Sequence, residues 1–158
     1  MTEFRPATRD DAIWVGRNLC PADIQELNLA GAPGPVQATV ESVAASKEAW
    51  SYRVNDFTEG VCGYVPYVGQ PGVATIWALS TAWARGRPIE YARASTRMLA
   101  TILAKVPEVR NMVWAENWPT VAWLEWLGAE FADAIQLPSG AWFRPFTIRR
   151  RDPCAGQR

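Results

Sequence analysis

The chemical feature that limits the function of this 158-residue sequence most is the absence of histidine. Histidine is the commonest general base near neutral pH, a frequent zinc ligand and a member of the usual protease triads. The three cysteines, Cys20, Cys62 and Cys154, are too widely spaced for a metal cluster or a disulfide framework. We therefore predict no metal site, a buried thiol at Cys62, an incidental one at Cys154 and a reducing compartment.

Composition indicates one globular domain. Hydrophobic residues make up 49% of the chain, and 16 basic residues balance 16 acidic ones. A neutral chain is not the expected binder of nucleic acid. No apolar run is long enough to span a bilayer, and the polar N-terminus is no signal peptide, so no membrane partner is predicted.

Hydrophobic periodicity and turn residues predict helices alternating with strands. The predicted helices cover residues 8 or 10 to 19, 21–30, 36–48, 88–106 and 119–127. The predicted strands cover residues 4–6, 50–54, 60–68, 73–79, 109–115, 131–137 and 141–148. In the long helix the predicted apolar face holds Ile89, Ala92, Leu99, Ile102, Leu103 and Val106. This order predicts one α/β (α+β) domain over residues 1–150, with a mixed, mostly antiparallel sheet and helices on both faces. Residues 151–158 are predicted to be a polar, disordered tail, and the arginines at 149–151 a solvated run.

Three segments together resemble the GNAT N-acetyltransferase superfamily over nearly the whole chain. They are residues 4–11 (FRPATRDD), residues 74–80 (ATIWALS) followed by Arg85-Gly86-Arg87, and residues 116–131, which begin Glu116-Asn117 and end Gly128-Ala129-Glu130-Phe131. The resemblance implies a GNAT-like fold with acetyl-CoA as its cofactor. It also implies which residues would contact the cofactor if one binds: Leu79, Ser80, Arg85, Gly86, Arg87 and Asn117.

The resemblance also shows where this chain departs from the family. In the family's cofactor loop, backbone amides at a helix N-terminus bind the diphosphate. Here Pro88 stands in place of the first loop glycine and removes an amide, and Glu90 stands in place of the second and adds a negative charge. For Arg85, Arg87 and Arg93, we favour surface solvation over a phosphate contact.

The residues implied for acid and base are missing as well. The family's tyrosine, seven residues after Asn117, is Leu124, which cannot donate a proton. No acidic residue lies between residues 72 and 84, and we interpret Asp56 and Glu59 nearby as solvated turn residues. We therefore predict no catalytic residue and no cofactor, and a degenerate member of the superfamily.

A narrower resemblance, to short GNAT-like internal virion or assembly proteins of short-tailed phages, rests on residues 114–117 (WAEN), 123–131 (WLEWLGAEF) and 143–148 (FRPFTI). It implies a non-catalytic protein in the host cytoplasm or the virion. Most of the nine tryptophans are expected in the core, and a few exposed ones are expected to contact partner proteins. Two alternatives stay open: an active acetyl-CoA-dependent N-acetyltransferase with a displaced acid and base, and a protein that binds another small ligand in the gap between splayed strands.

Overall fold

The computed structural model describes residues 1–152. Cys154 and residues 153–158 of the predicted tail lie outside this part. In chain order the elements are β1 (Thr2–Pro6), α1 (Arg9–Arg17), α2 (Pro21–Leu29), α3 (Pro35–Ala45), β2 (Glu48–Val54), β3 (Phe57–Pro66), β4 (Val73–Ser80), α4 (Ala82–Arg85), α5 (Pro88–Lys105), β5 (Glu108–Trp114), α6 (Trp118–Trp126), β6 (Glu130–Phe131), β7 (Ile135–Gln136) and β8 (Trp142–Arg149).

All eight strands form one mixed sheet in the order β1-β2-β3-β4-β5-β8-β6, with β7 also paired to β8. Every pair is antiparallel except β4 with β5, which run parallel and follow each other through the α4–α5 crossover. The predicted fold class, a mostly antiparallel mixed sheet with helices on both faces, is confirmed.

Helices cover the two faces of the sheet unequally. The larger core lies under α5 and α6, where Met98, Ile102 and Leu124 pack against Tyr64 and Phe146 from the strands. The smaller core lies under α1 and α2 on the other face; it is built on Val15, Leu19 and Val61, with Ile24 and Leu27 against it. A site that passes through the sheet would therefore contact both helical layers.

Local signals explain where several helices begin and end. Of the two predicted starts of the first helix, residues 8 and 10, the structure has the first: Thr8 caps α1 in a reciprocal capping box with Asp11. Gly128 ends α6 at a φ of 92°, a conformation that costs glycine little. Asn117 precedes α6, but its side chain does not cap the helix.

Some predicted boundaries are wrong. The helix predicted over residues 36–48 ends at Ala45, because Ser46 is extended and the Lys47 amide donates to the carbonyl of Tyr64 on β3. The strand predicted over residues 131–137 is two short strands, whose register along β8 shifts by one residue beside Pro145. Proline has no N–H for the sheet, which explains an interruption at this place.

Side-chain placements also differ from those predicted. Ile89 is exposed, and the buried face of α5 consists of the predicted Leu99 and Ile102 together with Ala94 and Met98. The arginine run is not fully solvated: Arg149 pairs with Glu108 and Glu130, and Arg150 donates to the carbonyls of Leu103 and Ala104 at the end of α5. A basic side chain at a helix C-terminus is stabilising, because it contacts carbonyls that lack partners.

Candidate functional site

The parallel strands β4 and β5 pair over only three residues and then separate. Their register runs from Val73 opposite Glu108 to Thr75 opposite Arg110. Beyond this point Asn111 spans the widening gap by donating from Nδ2 to the carbonyl of Ile76 at 2.6 Å. The separation leaves backbone groups of both strands without a neighbouring strand, which makes the gap a place where a ligand can bind.

A cavity of about 150 Å³ occupies this gap and reaches both faces of the sheet. Ile76 and Ala78 of β4 and Asn111 and Val113 of β5 line its middle. Its wall on the α5–α6 side is aromatic and apolar, whereas α2 contributes the carboxylate of Glu26 from the other side. Few polar groups on an apolar wall are typical of sites for small molecules.

Glu26 is held at the cavity wall by a single side-chain contact. Asn117 Nδ2 donates to its Oε2 at 2.7 Å. Burial raises the pKa of Glu26, and the nearby Asp23 adds to the effect, although Asn117 and the Trp114 amide oppose it. A carboxylate whose pKa is raised is better matched to accepting a proton.

Asp23, one turn before Glu26, serves a different purpose. Its side chain is buried, accepts from the Ser80 amide at 3.1 Å and forms an ion pair with Arg85 at 2.7 Å. Arg85 also donates to Thr120 at 3.1 Å. Burial lowers the pKa of Arg85, but the charge of Asp23, the hydrogen bond to it and the charges of other nearby groups together outweigh burial and raise the pKa. This network ties the end of β4 to α2 and α6.

The six residues predicted as cofactor contacts fall into two places. Leu79, Ser80, Arg85 and Asn117 surround the two carboxylates of α2, and of these four only Leu79 lines the cavity itself. Gly86 and Arg87 lie on the surface at the start of α5. The interpretation of Arg85 as a solvated surface residue is wrong, because only 26% of its side chain is exposed.

The start of α5 is occupied by contacts between its own residues. Arg87 lies 4.7 Å from the centre of the Trp83 ring and 3.6 Å from the carboxylate of Glu90. Pro88 occupies the first turn of the helix, as the sequence predicts. The charge of Glu90 is therefore partly neutralised by its neighbour, which weakens the argument that it repels a diphosphate.

At the acid and base positions, the structure corrects the interpretation of one residue, Glu59. Glu59 is not a turn residue: it lies in β3 and accepts a hydrogen bond from the hydroxyl of Thr81. Leu124 is buried in the core and lines the cavity, so it supplies no proton. Tyr91 of α5, however, lines the same cavity, and its ring lies 5.5 Å from that of Trp123 on α6.

The carboxylates Asp23 and Glu26 were not predicted as site residues from the sequence. Both lie on α2, which was predicted only as a helix. The signal that could have identified them is their spacing: two acids three residues apart share a helix face, here interleaved with Ile24 and Leu27, which pack against the core. Acidic residues are rarely buried without a partner, so acids on a core-facing stripe indicate a site.

The tryptophans are more exposed than expected. None of the nine is fully buried, although Trp50, Trp77 and Trp123 pack against the cores. The exposed ones are Trp14, Trp118, Trp126 and Trp142. Contact of these side chains with partner proteins stays a prediction.

Comparisons with known proteins agree on the fold. No protein-family model matches the sequence, and no curated protein does. An acetyltransferase of the GNAT family from Bacillus anthracis superposes with a TM-score of 0.70 at 12% identity, over 94% of each chain. The aminoglycoside acetyltransferase AAC(6')-Ib in complex with coenzyme A gives 0.67 at 16% identity, over 95% of each chain. The same enzyme with ribostamycin and coenzyme A gives 0.69 at 14% identity, over 94% of this chain and 93% of that one.

The chain therefore has the fold of the GNAT acetyltransferases. These likenesses support neither the predicted degeneracy nor the predicted phage link, and both stay predictions. No helix among residues 1–152 has the length and apolar character needed to cross a membrane. Within the same residues no group of three cysteine, aspartate or glutamate side chains is placed as metal ligands would be.

Proposed function

We propose that this chain is an acyl-CoA-dependent N-acyltransferase that uses the cavity between β4 and β5. The observation that carries the proposal is Glu26, a partly buried carboxylate with a raised pKa at the wall of this cavity. The acetyltransferase fold supports it, as does the coenzyme A in the AAC(6')-Ib structures. The alternative left open by the sequence is thus better supported than the non-catalytic interpretation.

The residues of the gap fit the thioester end of such a cofactor. Within residues 1–152, the hydroxyl of Tyr52 and Nε1 of Trp123 are buried without a hydrogen-bond partner, and both side chains line the cavity. Buried donors of this kind fit a ligand that supplies acceptor oxygens. At the surface, Arg87 and the amides of Ile89 and Glu90 would hold the diphosphate, since Arg87 lies at the start of α5.

Coenzyme A would supply the acyl group as a thioester, which an amine can attack. Glu26 would accept the proton that the amine nitrogen loses as the new C–N bond forms. Tyr91 would donate its phenolic proton to the sulfur as the C–S bond breaks. Burial raises the pKa of Tyr91, which keeps the phenol protonated at neutral pH. Tyr91 on α5 would thus be the general acid, which Leu124 on α6 cannot be.

Calorimetric titration with coenzyme A and acetyl-CoA tests cofactor binding. We expect micromolar dissociation constants for both. Absence of heat at millimolar ligand would contradict the proposal and favour the prediction that the chain is non-catalytic. Release of free thiol on adding a panel of primary amines then tests for transfer.

The Glu26→Gln variant tests the base. We expect kcat to fall about 10²- to 10⁴-fold while the dissociation constant of acetyl-CoA stays unchanged. In the unmodified protein, kcat/KM should rise with pH through the raised pKa of Glu26, and this rise should be absent in the variant.

Glu125→Gln is the matched control, because Glu125 is an exposed carboxylate on α6. Equal losses in the two variants, or an unchanged pH profile in Glu26→Gln, would show that Glu26 is not the base.

A further inference from the structure

Four aromatic rings form a continuous wall on the α5–α6 side of the cavity. Ring centres are separated by 5.3 Å between Phe4 and Tyr52, 6.4 Å between Tyr52 and Tyr91, and 5.5 Å between Tyr91 and Trp123. All four residues line the cavity. We call these four residues the aromatic wall. Because they come from β1, β2, α5 and α6, the wall exists only in the folded domain.

Two hydrogen-bond donors on the aromatic wall have no partner among the described residues. They are the hydroxyl of Tyr52, whose residue is only 4% exposed, and Nε1 of Trp123. Three other aromatic donors are satisfied: Tyr64 donates to Glu48, Trp77 to Ser46 and Trp14 to the carbonyl of Thr58. The other buried polar atoms without a partner among the described residues are Oγ of Ser80 and Nε of Arg85, which belong to the network around Asp23. A buried donor without an acceptor costs free energy, so two on one wall indicate a ligand that supplies acceptors.

The acceptor that fits the aromatic wall is uncharged. Among the described residues that line the cavity there is no lysine or arginine, and Glu26 contributes a carboxylate. Arg85, the nearby cation, is already paired with Asp23. A carboxylate ligand would be buried without a counter-charge, which is costly, whereas a hydroxyl or ketone oxygen would not.

The size of the cavity exceeds that of an acetyl group. A cavity of about 150 Å³ can hold a ring of six carbon atoms. An acetyl group has only three non-hydrogen atoms, so the cavity has room for a longer acyl chain beside the thioester sulfur.

We propose that the aromatic wall selects an acyl group of about four to six carbons that bears an uncharged oxygen, such as a 3-hydroxyacyl or 3-oxoacyl group. This proposal rests on the acyltransferase function proposed above. The oxygen accepts from the Tyr52 hydroxyl and Trp123 Nε1 while the carbon chain packs on the rings. In the transfer, the acyl carbon leaves sulfur for the amine nitrogen, the amine loses one proton and the thiol gains one.

Binding of acyl-CoA thioesters without an amine tests the selection apart from catalysis. Butyryl-CoA and 3-hydroxybutyryl-CoA differ by one oxygen, and acetyl-CoA is the shorter reference. We expect 3-hydroxybutyryl-CoA to bind about tenfold more tightly than butyryl-CoA, the value of one good neutral hydrogen bond. Tyr52→Phe should weaken this preference several-fold, leaving the part that comes from Trp123 Nε1. It should not lower the melting temperature, since the hydroxyl has no partner to lose.

Tyr64→Phe is the matched control. Its hydroxyl donates to Glu48 at 2.7 Å and lies outside the cavity lining. This variant should melt at a lower temperature and keep the preference for the hydroxylated acyl group.

Three results would contradict the inference in distinguishable ways. Equal binding of butyryl-CoA and 3-hydroxybutyryl-CoA would overturn the selection and leave acyl transfer intact. Equal weakening of free coenzyme A and 3-hydroxybutyryl-CoA by Tyr52→Phe would show that the donors serve the cofactor and not the acyl group. Failure of every thioester to bind would overturn the proposed function itself.

Discussion

Asp23 and Glu26 lie one turn apart on α2, and their partners give them different properties. Asp23 has an arginine and a backbone amide as donors, so its negative charge is matched inside the protein. Glu26 has one amide side chain as its hydrogen-bond partner, and burial outweighs the opposing effects of Asn117, Trp114 and Arg85 and raises its pKa. The first carboxylate therefore fixes the position of β4, and the second is left to take up a proton.

The residue types alone could not predict this division. Asp23 and Glu26 are both acids on a predicted helix, and their partners Arg85 and Asn117 are about 60 and 90 residues away in sequence. Arg85 and Asn117 were predicted from the resemblance as possible cofactor contacts. In the structure their side chains contact the two carboxylates, which could be seen only after the elements were packed together.

The pH dependence of stability follows from Asp11. Burial alone would raise its pKa, but hydrogen bonds from Thr58, Thr8 and Arg5 outweigh burial and lower the pKa from 3.8 to about 2. A lowered pKa in the folded state gives stability that is present above the unfolded value and is lost as the pH falls through the folded value. We expect Asp11 to contribute about 2 kcal/mol at neutral pH and about half of that at pH 3.

Urea unfolding at pH 6 and at pH 3 measures this contribution. The free energy of unfolding falls between pH 6 and pH 3, and this fall should be about 1 kcal/mol smaller in Asp11→Asn than in the unmodified protein. Asp10→Asn is the control, because Asp10 is the exposed neighbour in the same helical turn. The same pH dependence in Asp11→Asn and in the unmodified protein would show that Asp11 is not responsible.

At the scale of elements, short-range signals predicted most of the helices and strands. The capping residue Thr8, the prolines in first helical turns and Gly128 act within a few residues, so the sequence alone reveals them. The signals that were missed are tertiary. The end of α3 depends on a hydrogen bond to β3, and α4 is a single turn between β4 and α5 with no periodic pattern of its own.

The packing of α1 against α3 depends on Gly16. A Cβ atom at this position would lie 2.7 Å from Cα of Val36 and 3.1 Å from the carbonyl oxygen of Pro35. Backbone atoms cannot move aside as the end of a side chain can, so the two helices would have to separate. Gly16→Ala gains helix propensity, but overpacking outweighs the gain, and we expect a net loss of about 1 to 2 kcal/mol.

Thermal or urea unfolding of Gly16→Ala measures the loss. The control is Gly34→Ala at the start of α3, where an added Cβ meets nothing within 4 Å. This variant should lose less, roughly 0.5 kcal/mol, and only because alanine is a poorer N-cap than glycine. If Gly16→Ala were neutral or stabilising, the backbones of α1 and α3 could move apart at little cost in free energy, and the prediction would be wrong.

For the whole molecule, the site results from the way one pair of strands separates within the sheet. The sequence predicted the strands and the fold class, and the resemblance implied a gap between splayed strands. The lining of the gap could not be predicted, because it combines Phe4, Glu26, Tyr91 and Trp123 from segments spread over the chain. Side chains so far apart in sequence meet only through the topology of the sheet.

The stability of the whole domain should respond to a ligand in this gap. Since β4 and β5 hold the two halves of the sheet together through only three paired residues, a ligand between them adds contacts that the unfolded chain lacks. Coenzyme A at a hundred times its dissociation constant should stabilise the fold by about 2.7 kcal/mol. For a domain of this size, that corresponds to a rise in melting temperature of roughly 5 to 10 °C.

Adenosine 3',5'-bisphosphate, which lacks the pantetheine arm, is the control and should give a smaller rise. Equal rises would place binding at the start of α5 alone, and no rise with millimolar coenzyme A would favour a domain that keeps the acetyltransferase fold without its cofactor.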